Sequence, residues 1–254
     1  MAKDNKKINA KCKKNEILLY NGNLYASDAG LLKNNVVVSD INDAIKDNKN
    51  NLKKLLNTGF RSDQKYEFRQ KKISWNIGFF LYVPNNLSQK IFITNIIDQQ
   101  NEKNFLNSRN FIHIGKNANC NIIYKEKSDC SSCINNISEI YIEDNGKLEI
   151  TNIVSKKRNS EKIYNCTANI NTNAQLIYHA IDISGKLIKN NYHINLNKPG
   201  GSCYFNGFNT ANNKDHIDNY VEIRHNNKHT VSNLNYKIIS NKNAKSVLFA
   251  KAII

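Results

Sequence analysis

The stretch GKNANCNIIYKEKSDCSSCINNISEIYIEDNGKL, residues 115–148, decides the fold. It leaves a polar turn at a small residue, Ala118, passes through short apolar runs, and returns to a turn of the same form at Gly146. Outward from this unit the form recurs. GKNANC (115–120), EDNGKL (143–148), NTNAQL (171–176), NKPGGS (197–202) and NKNAKS (241–246) each carry polar residues into a small residue and then a strand. Their small residues, Ala118, Gly146, Ala174, Gly201 and Ala244, are 28, 28, 27 and 43 positions apart. A fixed period in this range signals a stacked array, and strands between the turns make it a β-solenoid. One coil cannot bury its apolar face alone, whereas stacked coils bury it against each other and pair their backbones. Asn suits the corners because its short amide tolerates the left-handed conformation and bonds its own backbone. The wider last interval holds Asn212-Asn213 and Asn226-Asn227 and predicts an extra or larger coil. The competing fold, an irregular β-sandwich, shows turns every 8 to 12 residues without a shared unit of this length.

Upstream of Ile73 the pattern is mixed. Residues 1–15 are Lys/Asn-rich, lack an apolar signal segment, and read as a disordered basic tail. Residues 16–72 read as a small α/β region. Glu16 to Tyr20 ends at the turn pair Asn21-Gly22, and Val36, Val37 and Val38 form a β-branched triplet. Ile41, Ala44, Ile45, Leu52, Leu55 and Leu56 then fit one face of an amphipathic helix, with Ser39 or Asp40 as its cap and Gly59 just past its end. Residues 73–254 are nearly all β. The chain is therefore expected to be all-β, a parallel solenoid with a small N-terminal α/β region.

Composition excludes several functions. No run approaches the roughly 20 apolar residues of a membrane helix. The formal charge of +16 suggests an acidic partner, yet Lys dominates and only Arg61, Arg69, Arg109, Arg158 and Arg224 are arginines. Arg is the preferred residue for bidentate phosphate contact, so nucleic acid is not the expected ligand. Asn makes up about one residue in five, and the joint Lys, Asn and Ile excess reads as A+T-biased coding. The six cysteines, without a secretion signal, read as free thiols.

Three segments carry a family resemblance. ISWNIGFFLYVPNN (73–86) follows an Asn-Gly strand, a valine triplet and a helix; GKLIKNNYHINLNKPGGSCYFNGF (185–208) runs from a rung through a turn into an Asn-Gly strand. DHIDNYVEIRHNNKHTVSNLNYKIISNKNAKSVLFAKAII (215–254) carries spaced His216, Asp218, His225 and Ser232 and the pair Tyr236-Lys237. In order and spacing these resemble the SufB/SufD family of the SUF iron–sulfur cluster assembly system, on the SufD side. The resemblance implies a right-handed parallel β-helix and a non-catalytic scaffold that pairs with a SufB-like subunit and works with a SufC-like ATPase. It implies a cluster only at the level of the complex, with no cofactor assigned to this chain. It places the protein in the bacterial cytoplasm or, in a eukaryote, the plastid. Family members usually continue past FAKAII (249–254) into further rungs and a helical region; the sequence is expected to lack that region.

Three side-chain groups could carry chemistry. Cys120, Cys130 and Cys133 form C-x9-C-x2-C, and the Cys130/Cys133 step could hold one edge of a zinc or iron–sulfur site, but no second pair matches it. His216, His225 and His229 could hold a metal only if the chain brought them together; on strand and turn, the last two lack the spacing a helix would give them. Asp215 and Asp218 near Arg224 resemble the acidic clusters of β-helix lyases and hydrolases, without a second cluster. The alternatives to a scaffold are thus a polysaccharide-active β-helix enzyme and a stand-alone thiolate metal protein. Gly is scarce, no phosphate-cradling loop is present, and ATP binding is not expected.

Overall fold

The computed structural model describes residues 12–58, 75, 77–98, 105–128, 130–156 and 160–254. Most of the tail, Gly59 and the 72/73 boundary lie outside them. Twelve strands make six coils: β5 (Ser88–Ile97) with β6 (Phe105–Ile114), β7 (Asn119–Ser128) with β8 (Cys133–Ile142), β9 (Lys147–Lys156) with β10 (Glu161–Ile170). β11 (Gln175–Ile183) with β12 (Leu187–Leu196), β13 (Ser202–Asn212) with β14 (His216–His225), and β15 (Val231–Asn241) with β16 (Lys245–Ile253) follow. Odd strands stack in parallel as a first sheet and even strands as a second. No register slips between successive coils: Asn119 pairs with Lys147, Lys147 with Gln175, Gln175 with Ser202, and Ser202 with Val231.

That register explains the repeat and corrects its last interval. Ala118, Gly146, Ala174 and Gly201 each precede a strand of the first sheet, and the next equivalent is Thr230 before Val231. Ala244 precedes β16 in the second sheet, so 43 residues span one ordinary coil of 29 and a half coil of 14, not a larger coil.

The N-terminal region extends the stack. β1 (Glu16–Tyr20) pairs in parallel with β5 and antiparallel with β2 (Asn23–Ser27). After α1 (Ala29–Lys33), β3 (Val37–Asp40) runs antiparallel to β4 (Phe79–Val83), which joins β6. The expected single helix is broken into α2 (Ile41–Lys46), a 3-10 turn (Lys49–Asn51) and α3 (Leu52–Leu55). Asn48, Asn50 and Asn51 all take positive φ, which no α-helix accommodates. Asp40, rather than Ser39, caps α2 by accepting from the Asn42 amide at 2.7 Å. The apolar spacing survives the break: Ile41, Ala44 and Leu52 pack with Phe80 and Phe111 over the outer face of the second sheet.

Asn has a definite structural use here, whatever its origin in coding. Twelve of the fifteen described non-glycine residues with positive φ are Asn. Asn86, Asn117, Asn145 and Asn173 stand two residues before successive first-sheet strands, all with φ between 54° and 63°. The side chains of the first three form a ladder, Asn117 Nδ2 donating to Asn86 Oδ1 at 2.9 Å and Asn145 Nδ2 to Asn117 Oδ1 at 3.1 Å. Gly200 fills the same position in the fifth coil and His229 in the sixth.

The interior divides lengthwise. Near the Asn corners it is apolar, with Cys120, Ile122, Leu148, Ile150, Leu176 and Phe205 facing Ile140, Ile170 and Leu196. Toward the opposite corners it becomes polar, and the candidate functional site lies there.

Candidate functional site

Two facing columns build this polar half. In the first sheet Asn95 aligns with Glu126, Glu126 with Val154, Val154 with Asp182, and Asp182 with Asn209. In the second, Ser108 aligns with Asn136, Asn136 with Tyr164, Tyr164 with Asn190, and Asn190 with Asn219. All but Val154 are polar, and all ten are buried. Several of them bond to one another or to neighbours, though Asn190 Oδ1 is left without a partner: Asn95 donates to the Tyr124 hydroxyl at 3.1 Å and to Glu126 at 3.3 Å. Asn190 donates to Asp182 and to Asn219, both at 2.8 Å; Asn219 donates to Asn209 at 3.3 Å, and Asn209 to Ser246 at 2.7 Å. Between the two stretches a cavity of about 20 Å³, bordered by Tyr124, Glu126, Asn136, Ser138, Asn152 and Lys162, has room for about one water.

Tyrosines bridge the two halves. Tyr164 and Tyr178 bring their hydroxyls to 3.1 Å, and Tyr178 stacks on Phe205. Burial raises the pKa of Tyr164, Tyr178 and Tyr192 well above that of a free phenol. Tyr236 enters over Gly207, where a Cβ would stand 2.0 Å from its ring. Burial, then the charge of Asp182, raises its pKa too.

The expected ligand groups do not converge. Cys120 lies inside the solenoid, whereas Cys130 and Cys133 lie at the corner between β7 and β8, so the C-x9-C-x2-C set is split. The Cys133 thiol is 3.8 Å from Glu161. His216 and His225 occupy opposite ends of β14, about 30 Å apart at the rise of a strand. His225 is clasped by its own corner, Nδ1 2.8 Å from the Thr230 hydroxyl and Nε2 2.9 Å from that of Ser232. His229 sits exposed at the left-handed corner position. Asp215 caps the Asn212 amide at 2.9 Å. Asp218 is about 20 Å along β14 from Arg224, whose Nε is 2.5 Å from Glu222. Lys237 points outward from β15 and is exposed. Among the described residues no three of His, Cys, Asp and Glu gather as metal ligands would.

Two predictions arise here. Changing His229→Asn should raise stability by about 0.5 kcal/mol and the melting temperature by roughly 1–2 °C, because Asn fits that corner better. A drop in melting temperature would give the imidazole another role. Burial raises the Cys120 and Cys166 thiols to about 12 and raises Cys203 as well. At neutral pH they stay protonated and unreactive. Brief iodoacetamide treatment of the native protein should therefore label Cys12, Cys130 and Cys133, and reach the other three only in denaturant. Mass spectrometry of tryptic peptides reads the result, and native labelling of Cys166 would contradict the packing.

The polar columns were missed in the sequence because each residue reads as an ordinary alternating position. The signal available was a polar side chain at the eighth position of β5, β7, β11 and β13, interrupted by Val154 in β9, visible once the 28-residue period aligns the strands.

A parallel β-solenoid with a hydrogen-bonded polar interior defines the class of the domain, a stacked-coil β-helix. Comparison with known families matches residues 95–254 to the SufBD core domain of SUF system FeS cluster assembly. The chain belongs to that family, and its role lies in SUF iron–sulfur cluster assembly. No curated protein matches the chain. No helix among the described residues is long and apolar enough to cross a membrane.

Proposed function

We propose that the chain is a SufD-type subunit, a non-catalytic scaffold that pairs with a SufB-like subunit and works beside a SufC-like ATPase. One observation carries this reading: the side chains best suited to chemistry are committed to holding the coil. Both nitrogens of His225 face hydroxyls of its own corner, at 2.8 and 2.9 Å, and burial holds three thiols protonated. The order of Asn-Gly strand, valine triplet and helical region ahead of the solenoid supports the SufD assignment over SufB. In this reading the cluster is cargo, assembled where this chain meets its partner, and the scaffold itself turns over no substrate.

Co-expression of the affinity-tagged chain with SufB-like and SufC-like subunits tests it. The three should co-elute, and the ATPase activity should belong to the SufC-like subunit. A chain that elutes alone at physiological salt would overturn the pairing. A His225→Gln variant that keeps its melting temperature yet abolishes cluster formation would overturn the purely structural role.

A further inference from the structure

The two sheets differ on their outer faces. On the second sheet, Phe80 and Phe111 are covered by α2 and α3 of the chain itself. On the first sheet a comparable apolar strip has no such cover among the described residues. Ile153, Ile181 and Phe208, each half-buried, fall in one column across β9, β11 and β13. Tyr204 lies on one side of it, 39% exposed, and Ile183 and Ile239 on the other, 42% and 57% exposed. The apolar stretch of the column is flanked by lysines: Lys125 pairs with Ile153, and Lys237 with Phe208. Both lysines are exposed, as is Lys127 beside the strip.

We propose that this face docks an amphipathic helix of a partner protein, with acidic residues toward both ends of its apolar stripe. The dimensions agree. Lys125 and Lys237 are four strand spacings apart, about 19 Å at the usual spacing. A helix lying across the strands covers that distance in about 13 residues, between three and four turns. Its apolar stripe would cover Ile153, Ile181 and Phe208 while carboxylates at its ends meet the lysines. Charge selects this occupant over a second copy. The chain carries +16, and the nearest carboxylate on this face, Glu149, already accepts from Asn121 at 3.0 Å and lies 3.4 Å from His179. The surface is separate from the corners and interior discussed above, and its test does not depend on the subunit assignment.

The probe is a fluorescein-labelled 18-residue helical peptide with leucines on one face and glutamates near both ends, compared with a twin carrying lysines instead. Fluorescence anisotropy against the full chain should show the glutamate peptide binding at least about tenfold more tightly, and more weakly as salt rises. Phe208→Glu and Ile181→Glu should each weaken it about tenfold or more, with the melting temperature preserved. Lys125→Glu with Lys237→Glu should reverse the preference between the peptides. Equal binding of the two peptides, no saturable binding, or indifference to Phe208→Glu overturns the proposal. So does self-association, or attachment to phosphatidylglycerol vesicles, that Ile181→Glu abolishes.

Discussion

Replacing Arg109 with alanine is expected to cost about 3–5 kcal/mol of folding free energy, because it leaves a buried carboxylate without its cation. Arg109 projects outward from β6 and is only 7% exposed, and its partner Glu139 on β8 is 4% exposed. The guanidinium Nε donates to Glu139 at 2.9 Å, while its second nitrogen donates to Asn57 at 3.0 Å. Glu139 also accepts from the Asn57 amide at 2.7 Å, and the Trp75 ring lies 5.2 Å from the guanidinium carbon. One charge pair thus fastens the end of the helical region to the outer face of the second sheet. In Arg109→Ala the carboxylate keeps one amide and loses its cation, so the segment after α3 should detach along with the lost stability. Urea denaturation gives the magnitude, and hydrogen exchange at Asn57 and Thr58 shows the detachment. The double change Arg109→Met with Glu139→Leu should return most of the loss, since apolar residues of similar volume remove the desolvation penalty altogether. A single variant within about 1 kcal/mol of the parent would mean that water reaches the pair.

Gly207→Ala should cost about 3 kcal/mol, at the upper end of the overpacking range. Gly207 sits in β13, where the fifth coil meets Tyr236 of the sixth, and its added methyl would lie 2.0 Å from one ring carbon and 2.1 Å from the next. The ring packs against the core together with Leu234 and Leu248, all three partly buried, so it must shift for the methyl to fit. Tyr236→Leu on the Gly207→Ala background should recover more than half of that cost. If Gly207→Ala alone is neutral, the two coils are more loosely seated than the contact implies.

This contact shows what the sequence could and could not reveal. Asn206-Gly207 and Tyr236-Lys237 each stood out as family features, but nothing in their spacing linked them. Only the register, which sets Gly207 against Tyr236, makes them two halves of one interlocking pair. The coil was legible because the backbone takes a positive φ two places before each first-sheet strand from β5 to β15, and Asn or Gly meets that demand visibly at five of the six. Ala244 misled because its Asn-Ala pair looks like those before first-sheet strands, whereas the left-handed residue there is Lys242, three places before β16 instead of two. The helix was overextended because its apolar spacing is genuine, while Asn48, Asn50 and Asn51 break the backbone without disturbing which face is buried. The site was the least legible part. His216, His225 and His229 lie close in sequence, but an extended strand separates the first two by its own length. Each polar column is assembled from strands a full coil apart, and the two columns meet within a coil, as at Asp182 and Asn190.

The asparagine ladder at the corners also has a direction. Asn117 gives its amide hydrogen to Asn86 behind it and takes one from Asn145 ahead, so the side-chain dipoles line up head to tail along the axis. Spontaneous hydrolysis of such an amide to a carboxylate would then act unevenly. At Asn117 it would set two acceptors against each other on the side of the preceding coil, yet leave the link from Asn145 intact and charge-strengthened. Ageing at Asn117 would accordingly loosen its coil from the one before it, not from the one after.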